Sequence, residues 1–410
     1  MASSTFTEPQ WLTARRERAA AALVELPVPV FRGTAGWEFT PIDALDLEAY
    51  PNAPAGDPAG AVDVLEVPDG ALRPSAEGAT GDGPLVLPLG LAAERHPEIV
   101  ERHLGSTVPT LTPFVARNDA HWSDGILVYV PRNATVTAPI VLTALHEHHQ
   151  SALHHRVLVV LEEGSEAEVW AQTVSGAPDG EGLVNGVVEL VVGPNATLRF
   201  VDIQDLSEKT WVFGAQRAIV ERDGQLDWIT LGFGSNNGKV FLETKLAGPG
   251  AHATVTGAYA THGRQHLDFD TLQEHAAANT TSDLAFRGIL DARSSVVWRG
   301  MIKVDPGAQQ TDAFQESRNL LLSKRAHADA IPGLEILAND VRCTHAAAIA
   351  QIDADQLFYL RSHGLQEKLA HRLVVEGFLQ ALVERFPQGT VHDAVAGALD
   401  RRTERVLAAR

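Results

Sequence analysis

Cysteine is almost missing from this sequence: the 410 residues hold one, Cys343. A lone thiol excludes an intrachain disulfide framework and suits a reducing compartment, so a cytoplasmic protein is expected. Basic residues are also scarce, 33 Lys plus Arg against 52 Asp plus Glu, for a net charge of -19. A field of that sign repels phosphate backbones and anionic lipid, which excludes nucleic acid and membrane surfaces as partners. No apolar run approaches the roughly 18 to 20 residues of a membrane-spanning helix. Aromatic residues make up only 6% of the chain, too few for the stacked platforms with which sugar-active enzymes hold their substrates. The opening stretch MASSTFTEPQWLTARRERAAAALVEL sets charges ahead of an alanine-rich run. Glu8 and Glu17 do not fit a signal peptide, and an amphipathic first helix explains the pattern better.

What is present is mostly strand-like. Residues from about Pro9 to Leu26 predict a helix ended by the prolines of LPVPV. The Pro-, Gly- and Ala-rich stretch YPNAPAGDPAGAVDVLEVPDGALRPSAEGATGDGPL predicts loop with short extended pieces, and GLAAERHPEIVERHLG a second helical stretch. Between about Gly125 and Ile349, alternating or apolar runs are separated by tight turns. Turns at Glu163-Gly164, Pro194-Asn195, Asp223-Gly224 and Pro249-Gly250 recur roughly every 26 to 31 residues, inside the range of about 20 to 50 that marks solenoids, propellers and strand arrays. An antiparallel sandwich would show the same strand and turn texture. After Asp353, Leu365, Leu369 and Leu373, then Phe378, Leu379 and Leu382, fall at helical spacing, and a last helix is expected from Val391 onward.

Catalytic motifs are few. GFGSNNGKV approaches a phosphate loop, but Gly232 and Gly238 flank one residue too many and Val240 stands where Ser or Thr is required, so it reads as a turn between strands. LHEHHQSALHHR holds His146, His148, His149, His154 and His155, read as a connection with solvated histidines, a physiological metal site being the alternative. In HGRQHLDFDTLQEH, His266, Asp268 and Asp270 alternate onto one strand face, as a solvated flank of a solenoid would. The remaining feature is Cys343 and His345, two apart in EILANDVRCTHAAAIAQIDADQLFYLRSHGL; on an extended segment they share a face. Thiolate and imidazole both ligate zinc, copper and iron. A closed zinc site takes about four ligands and an iron–sulfur cluster about four cysteines, so the pair is packing, a redox thiol, or part of a site completed by another chain.

Beyond single motifs, the chain resembles a known family. GWEFTPIDAL, FVARNDAHWSDGILVYVP, GAQQTDAFQESRNLLLS, the Cys343 stretch and QEKLAHRLVVEGFLQALVERFP together resemble the SufB/SufD family of the SUF iron–sulfur cluster assembly system, in matching order over nearly the whole chain. The single thiol favours the SufD branch over SufB, which supplies the sulfur-accepting cysteine. The resemblance implies a right-handed parallel β-helix over 113–352, between an N-terminal helical and loop region, 1–112, and a C-terminal helical region, 353–410. It implies a non-catalytic scaffold that pairs with SufB and binds the ATPase SufC, where ATP is hydrolysed. It places His345, with Cys343 as companion, at the heterodimer interface where a nascent iron–sulfur cluster forms, with no cofactor stably bound by the chain alone. His345 is the residue implied as a metal ligand, shared with SufB. SufC contacts are implied at Phe358, Tyr359, Arg361, Gly364, Leu365 and Leu369. Ala346, Asn339 and His363 depart from the family's usual residues, and none of them removes His345. Because SufB and SufD share a fold, a homodimer is expected in isolation. The alternatives are a SufB-type paralogue, a β-helix polysaccharide-active enzyme, or a purely structural homodimer.

Overall fold

A computed structural model describes residues 7–61, 63–76, 83–386 and 388–409. The chain opens with α1 (Gln10–Ala22), shorter than the pattern predicted and burying only Leu12 and Ala19. Two short 3-10 turns and otherwise irregular backbone lead to β1 (Leu85–Pro88). The second helical stretch divides into α2 (Leu89–Arg95) and α3 (Pro97–His103), because Pro97 has no N–H to continue α2 and instead opens α3. Thr112 caps α4 (Pro113–His121), accepting from the Val115 N–H, with Pro113 at the first helical position.

Sixteen strands follow: β2 (Asp124–Val130), β3 (Ile140–His146), β4 (Ser151–Leu161), β5 (Glu166–Ser175), β6 (Glu181–Val192), β7 (Thr197–Asp205), β8 (Lys209–Val220) and β9 (Gln225–Gly232) form the first half. The second half is β10 (Asn237–Leu246), β11 (His252–Thr261), β12 (His266–His275), β13 (Thr281–Leu290), β14 (Ser295–Val304), β15 (Thr311–Leu321), β16 (His327–Ile336) and β17 (Val341–Gln351). Successive strands alternate between two sheets. Even-numbered strands pair in parallel from β2 to β16, with β1 antiparallel at the outer edge, and odd-numbered strands pair in parallel from β3 to β17. This is a parallel β-solenoid of about eight turns, and the sandwich alternative falls.

The turns explain why the coils stack. Asn133, Gly164, Asn195, Asp223, Gly250 and Asn279 all have positive φ, between 53° and 75°. Gly has no Cβ penalty there, and Asn and Asp tolerate the left-handed region best among the others. Each donates its N–H to a carbonyl in the turn of the next coil, as Gly164 does to Pro194 and Asn195 to Arg222.

Inside, aromatic rings fill space left by glycines on neighbouring strands. A Cβ on Gly257 would sit 2.2 Å from the Phe286 ring, and one on Gly288 1.8 Å from Tyr259. Tyr259, Phe269, Phe286 and Trp298 thus form a continuous plug across the later coils. Outside, both sheets are covered along the earlier coils. Trp37, Ile42, Leu47 and Phe114 pack on the even-numbered sheet. On the odd-numbered sheet lie the C-terminal helices α6 (Glu367–Val383) and α7 (Thr390–Ala408), through Val375, Leu379, Leu382, Val395 and Val406. Arg402 is buried there, donating to the Ala260 carbonyl and to Gln265 Oε1, both at 2.9 Å. The helices α6 and α7 therefore share a second core with the outer face of the odd-numbered sheet.

Candidate functional site

Among the described residues, nothing stacks on the last coil. β16 pairs only with β14 and β17 only with β15, so each presents one unpaired backbone edge. On β15, Ala313, Gln315, Ser317 and Asn319 are buried and alternate with more exposed neighbours, which marks them as facing the lumen. Their partners on β17 are Cys343, His345, Ala347 and Ile349. His345 lies on the lumen side of the final strand, exposed, and its side chain has no partner among the described residues. Around it the end of the lumen is apolar: Leu334, Ile336, Leu337 and Ile349 are between 36% and 51% exposed. Exposed apolar side chains beside open strand edges form a surface that water serves poorly.

Cys343 and His345 share one face, yet they differ in setting. Cys343 is half-buried against Ile302, Val304, Ala308 and Ala313. Burial, and then the Asp312 carboxylate, push its thiol above the ordinary value, so it is a neutral packing group at neutral pH. His345 is the accessible side chain of the two. Among the described residues, no three His, Cys, Asp or Glu side chains come together as a metal site.

After Ile352 and Asp353, β17 is followed by α5 (Ala354–Ser362), which has no buried residue. Phe358 and Tyr359 are 74% and 62% exposed. His363 packs its ring on Tyr359 at 4.3 Å, and Gly364 ends the turn with φ 90°, a conformation suited to glycine. Arg361 reaches Glu367 at 3.7 Å. Leu369 and Leu373 point away from the core and Leu365 is half-buried, while α6 buries a different face. An open groove of about 910 Å³ runs between α5, α6 and the end of β17, lined in part by Ile352, Tyr359, Leu360, Leu373 and Phe378.

Two expectations are corrected. The histidine tract is not a solvated connection, because His154 and His155 lie within β4 and His146 ends β3; all three are buried and only His148 and His149 are exposed. Burial pushes His154 down to about 3 and His155 down to about 4, so both are neutral. Nor are His266 and Asp268 a solvated flank. They lie under the N-terminal segment, where Asp268 accepts from Lys239 Nζ at 2.8 Å and from the Thr40 hydroxyl. Strand alternation correctly groups such residues on a face but carries no sign of what covers it. Asp202 and Gln216, discussed below, escaped the sequence reading for a similar reason: each sits in a run that reads as ordinary strand.

Known proteins resemble the chain over most of its length. The SufBD core domain, described as SUF system FeS cluster assembly, matches residues 143–378, and the SufBD protein N-terminal region matches 71–142. The chain is 27% identical to the iron-sulfur cluster assembly protein SufD of Bacillus subtilis (strain 168), over 98% of this chain and 96% of the relative. It is 26% identical to iron-sulfur cluster assembly SufBD family proteins of Staphylococcus epidermidis (strain ATCC 12228) and Staphylococcus aureus (strain USA300), over 72% of this chain and 64% of each relative.

Proposed function

The chain belongs to the SufBD family of the SUF iron–sulfur cluster assembly system, and on that premise we propose that it is a SufD-type scaffold subunit whose open solenoid end pairs with a SufB-type partner. The observation that carries this reading is the uncapped last coil, with unpaired edges on β16 and β17 around an apolar lumen end that exposes His345. Strands of a partner solenoid would take up the free N–H and C=O groups and bury the apolar surface in one step. His345 then lies at the junction, where its imidazole and a thiolate from the partner hold a nascent cluster as cargo. Cys343 supports the face by packing, and its neutral thiol makes it the lesser contributor.

The ATPase SufC is assigned to the exposed surface of α5 and the start of α6, with Phe358 and Tyr359 as anchors and Arg361, Gly364, Leu365 and Leu369 around them. Exposed aromatics beside a groove are the usual hot spots of such contacts. Because β17 runs into α5 through only Ile352 and Asp353, a pull on α5 reaches the strand that bears His345.

Cluster reconstitution on the purified complex tests the central claim. His345→Ala should leave circular dichroism unchanged while reducing assembly, and Cys343→Ser should cost less; full assembly with His345→Ala overturns the reading. For SufC, truncating the C-terminal helices would strip a whole sheet face, so substitution is the better probe. Phe358→Ala with Tyr359→Ala should weaken binding by about 2 kcal/mol or more in calorimetry, and undiminished affinity refutes the assignment.

A further inference from the structure

Upstream of the aromatic plug, the lumen contains a chamber of about 60 Å³. Its origin lies in the register. Along one lumen-facing column, His155, Gly186, Gly214, Val240 and Phe269 are successive neighbours, so two adjacent coils contribute no side chain. On the facing sheet the corresponding column runs Ala171, Asp202, Thr230. Asp202 therefore projects into the space that the glycines leave, and Gln216 reaches across from the opposite sheet to donate from Nε2 to Asp202 Oδ2 at 2.8 Å. The other walls are largely aliphatic, including Val188 and Val212.

The electrostatics of this chamber are incomplete. Asp202 makes no ion pair with any described side chain, and burial holds its carboxyl up at about 6. His155 on the chamber wall is neutral because burial lowers it to about 4. Arg156 and Asp268 also border the chamber, but their side chains are paired outside it, Arg156 with Asp119 and Glu189 and Asp268 with Lys239 and Thr40. Gln216 spends its N–H on Asp202, and its Oε1 is buried with no hydrogen-bond partner. An isolated carboxylate inside a protein costs several kcal/mol unless a positive charge accompanies it. The unpartnered group beside the Asp202 carboxylate, Gln216 Oε1, is an oxygen acceptor, and the formal charge to be balanced is one.

We propose that the chamber binds a single alkali-metal ion between Asp202 and Gln216, with the Thr230 hydroxyl as a further oxygen ligand. Hard oxygen donors select an alkali or alkaline-earth ion over a transition metal, and a single carboxylate selects a monovalent ion, since a divalent one would leave net charge buried. The volume admits one such ion with a few waters. The ion would tie the two sheets together midway along the solenoid. This inference is independent of the partner assignments, since it concerns the chain alone.

Crystals grown in rubidium chloride, with anomalous diffraction at the rubidium edge, provide the direct test. A peak beside Asp202 Oδ1 and Gln216 Oε1 is expected in the wild type and none in Asp202→Asn. In solution, melting in rubidium chloride should exceed melting in choline chloride at equal ionic strength, by about 2 °C or more when the ion saturates the site. That difference should vanish in Asp202→Asn. It should also shrink in Gly214→Ala, where the new Cβ narrows the chamber at 3.2 Å from Val240 without touching a ligand. The competing state is a proton on Asp202 with the Gln216 amide turned to accept from it. No rubidium peak, or the same cation dependence in wild type and Asp202→Asn, overturns the proposal.

Discussion

The two ends of the solenoid face the same physical problem and meet it differently. At the N-terminal end, β1 lies antiparallel on β2, and α1 to α4 bury Leu12, Leu89, Val100 and Trp122 against Leu127 and Leu158. A buried ionic network holds this cover in place: Arg156 bonds Asp119 and, through Nη2, Glu189 at 2.9 Å, while Arg15 reaches Asp119 at 2.7 Å. At the C-terminal end no helix among the described residues lies over β16 and β17, and α5 stands beside them with no buried residue. A solenoid can end in a cap or in an interface. This chain carries one of each, so its two ends should respond oppositely to perturbation.

The largest expected effect is from acid, which acts on the covered coils and spares the open end. His154, His155, His266 and His275 are each lowered by burial, to about 3, 4, 4 and 4. The unfolded chain protonates its histidines near pH 6.5, so between that pH and about 4 it binds more protons than the folded chain does. Stability is then fully present above about pH 6.5 and falls as the pH drops toward 4, by up to about 1.4 kcal/mol per pH unit for each histidine. Asp202, raised by burial, works in the opposite direction. Urea midpoints at neutral and mildly acidic pH measure the slope, and a flat profile would contradict the neutral buried histidines.

Next in size is the N-terminal network. Arg156→Ala leaves Glu189 and Asp119 buried with less compensation and should cost about 3 to 5 kcal/mol in chemical denaturation. A loss below about 1 kcal/mol would mean that apolar packing alone holds the cap, and the contrast between the ends would weaken accordingly.

The smallest effect on stability is expected at the open end. Ile349→Lys should change the unfolding free energy by no more than about 0.5 kcal/mol, since the side chain is already 45% exposed. It should nevertheless weaken association with a SufB-type partner at least about tenfold, because an edge lysine resists strand pairing. In isolation the same edges should pair two copies, seen by light scattering as a dimer that Ile349→Lys makes monomeric. Wild type that stays monomeric at all concentrations would show that these edges do not pair with themselves.

Part of this contrast was legible in the residues. Strand texture, the turn signals at Gly164, Asn195 and Gly250, and the shared face of Cys343 and His345 follow from local rules, and the structure has them where those rules put them. At the 223–224 turn, Asp223 takes the positive φ and Gly224 does not, because the coil register selects the residue. The exposed stripe of Leu369 and Leu373 could be read as periodicity, though its choice between the core and a partner could not. The burial of His154 and Asp268 is not legible locally, because the segments that cover them, α4 through His121 and the stretch around Trp37 and Thr40, are distant in sequence.

The alternation, the turn positions and the Cys343–His345 pair follow from local residues alone, since each depends on steric preferences within a few positions. Which faces are buried, the meeting of Asp202 with Gln216 across the lumen and the place of His345 on the last uncovered coil came from the packing of distant segments. Those outcomes depend on how many coils stack and on which distant segments return to cover them, and no local preference encodes either.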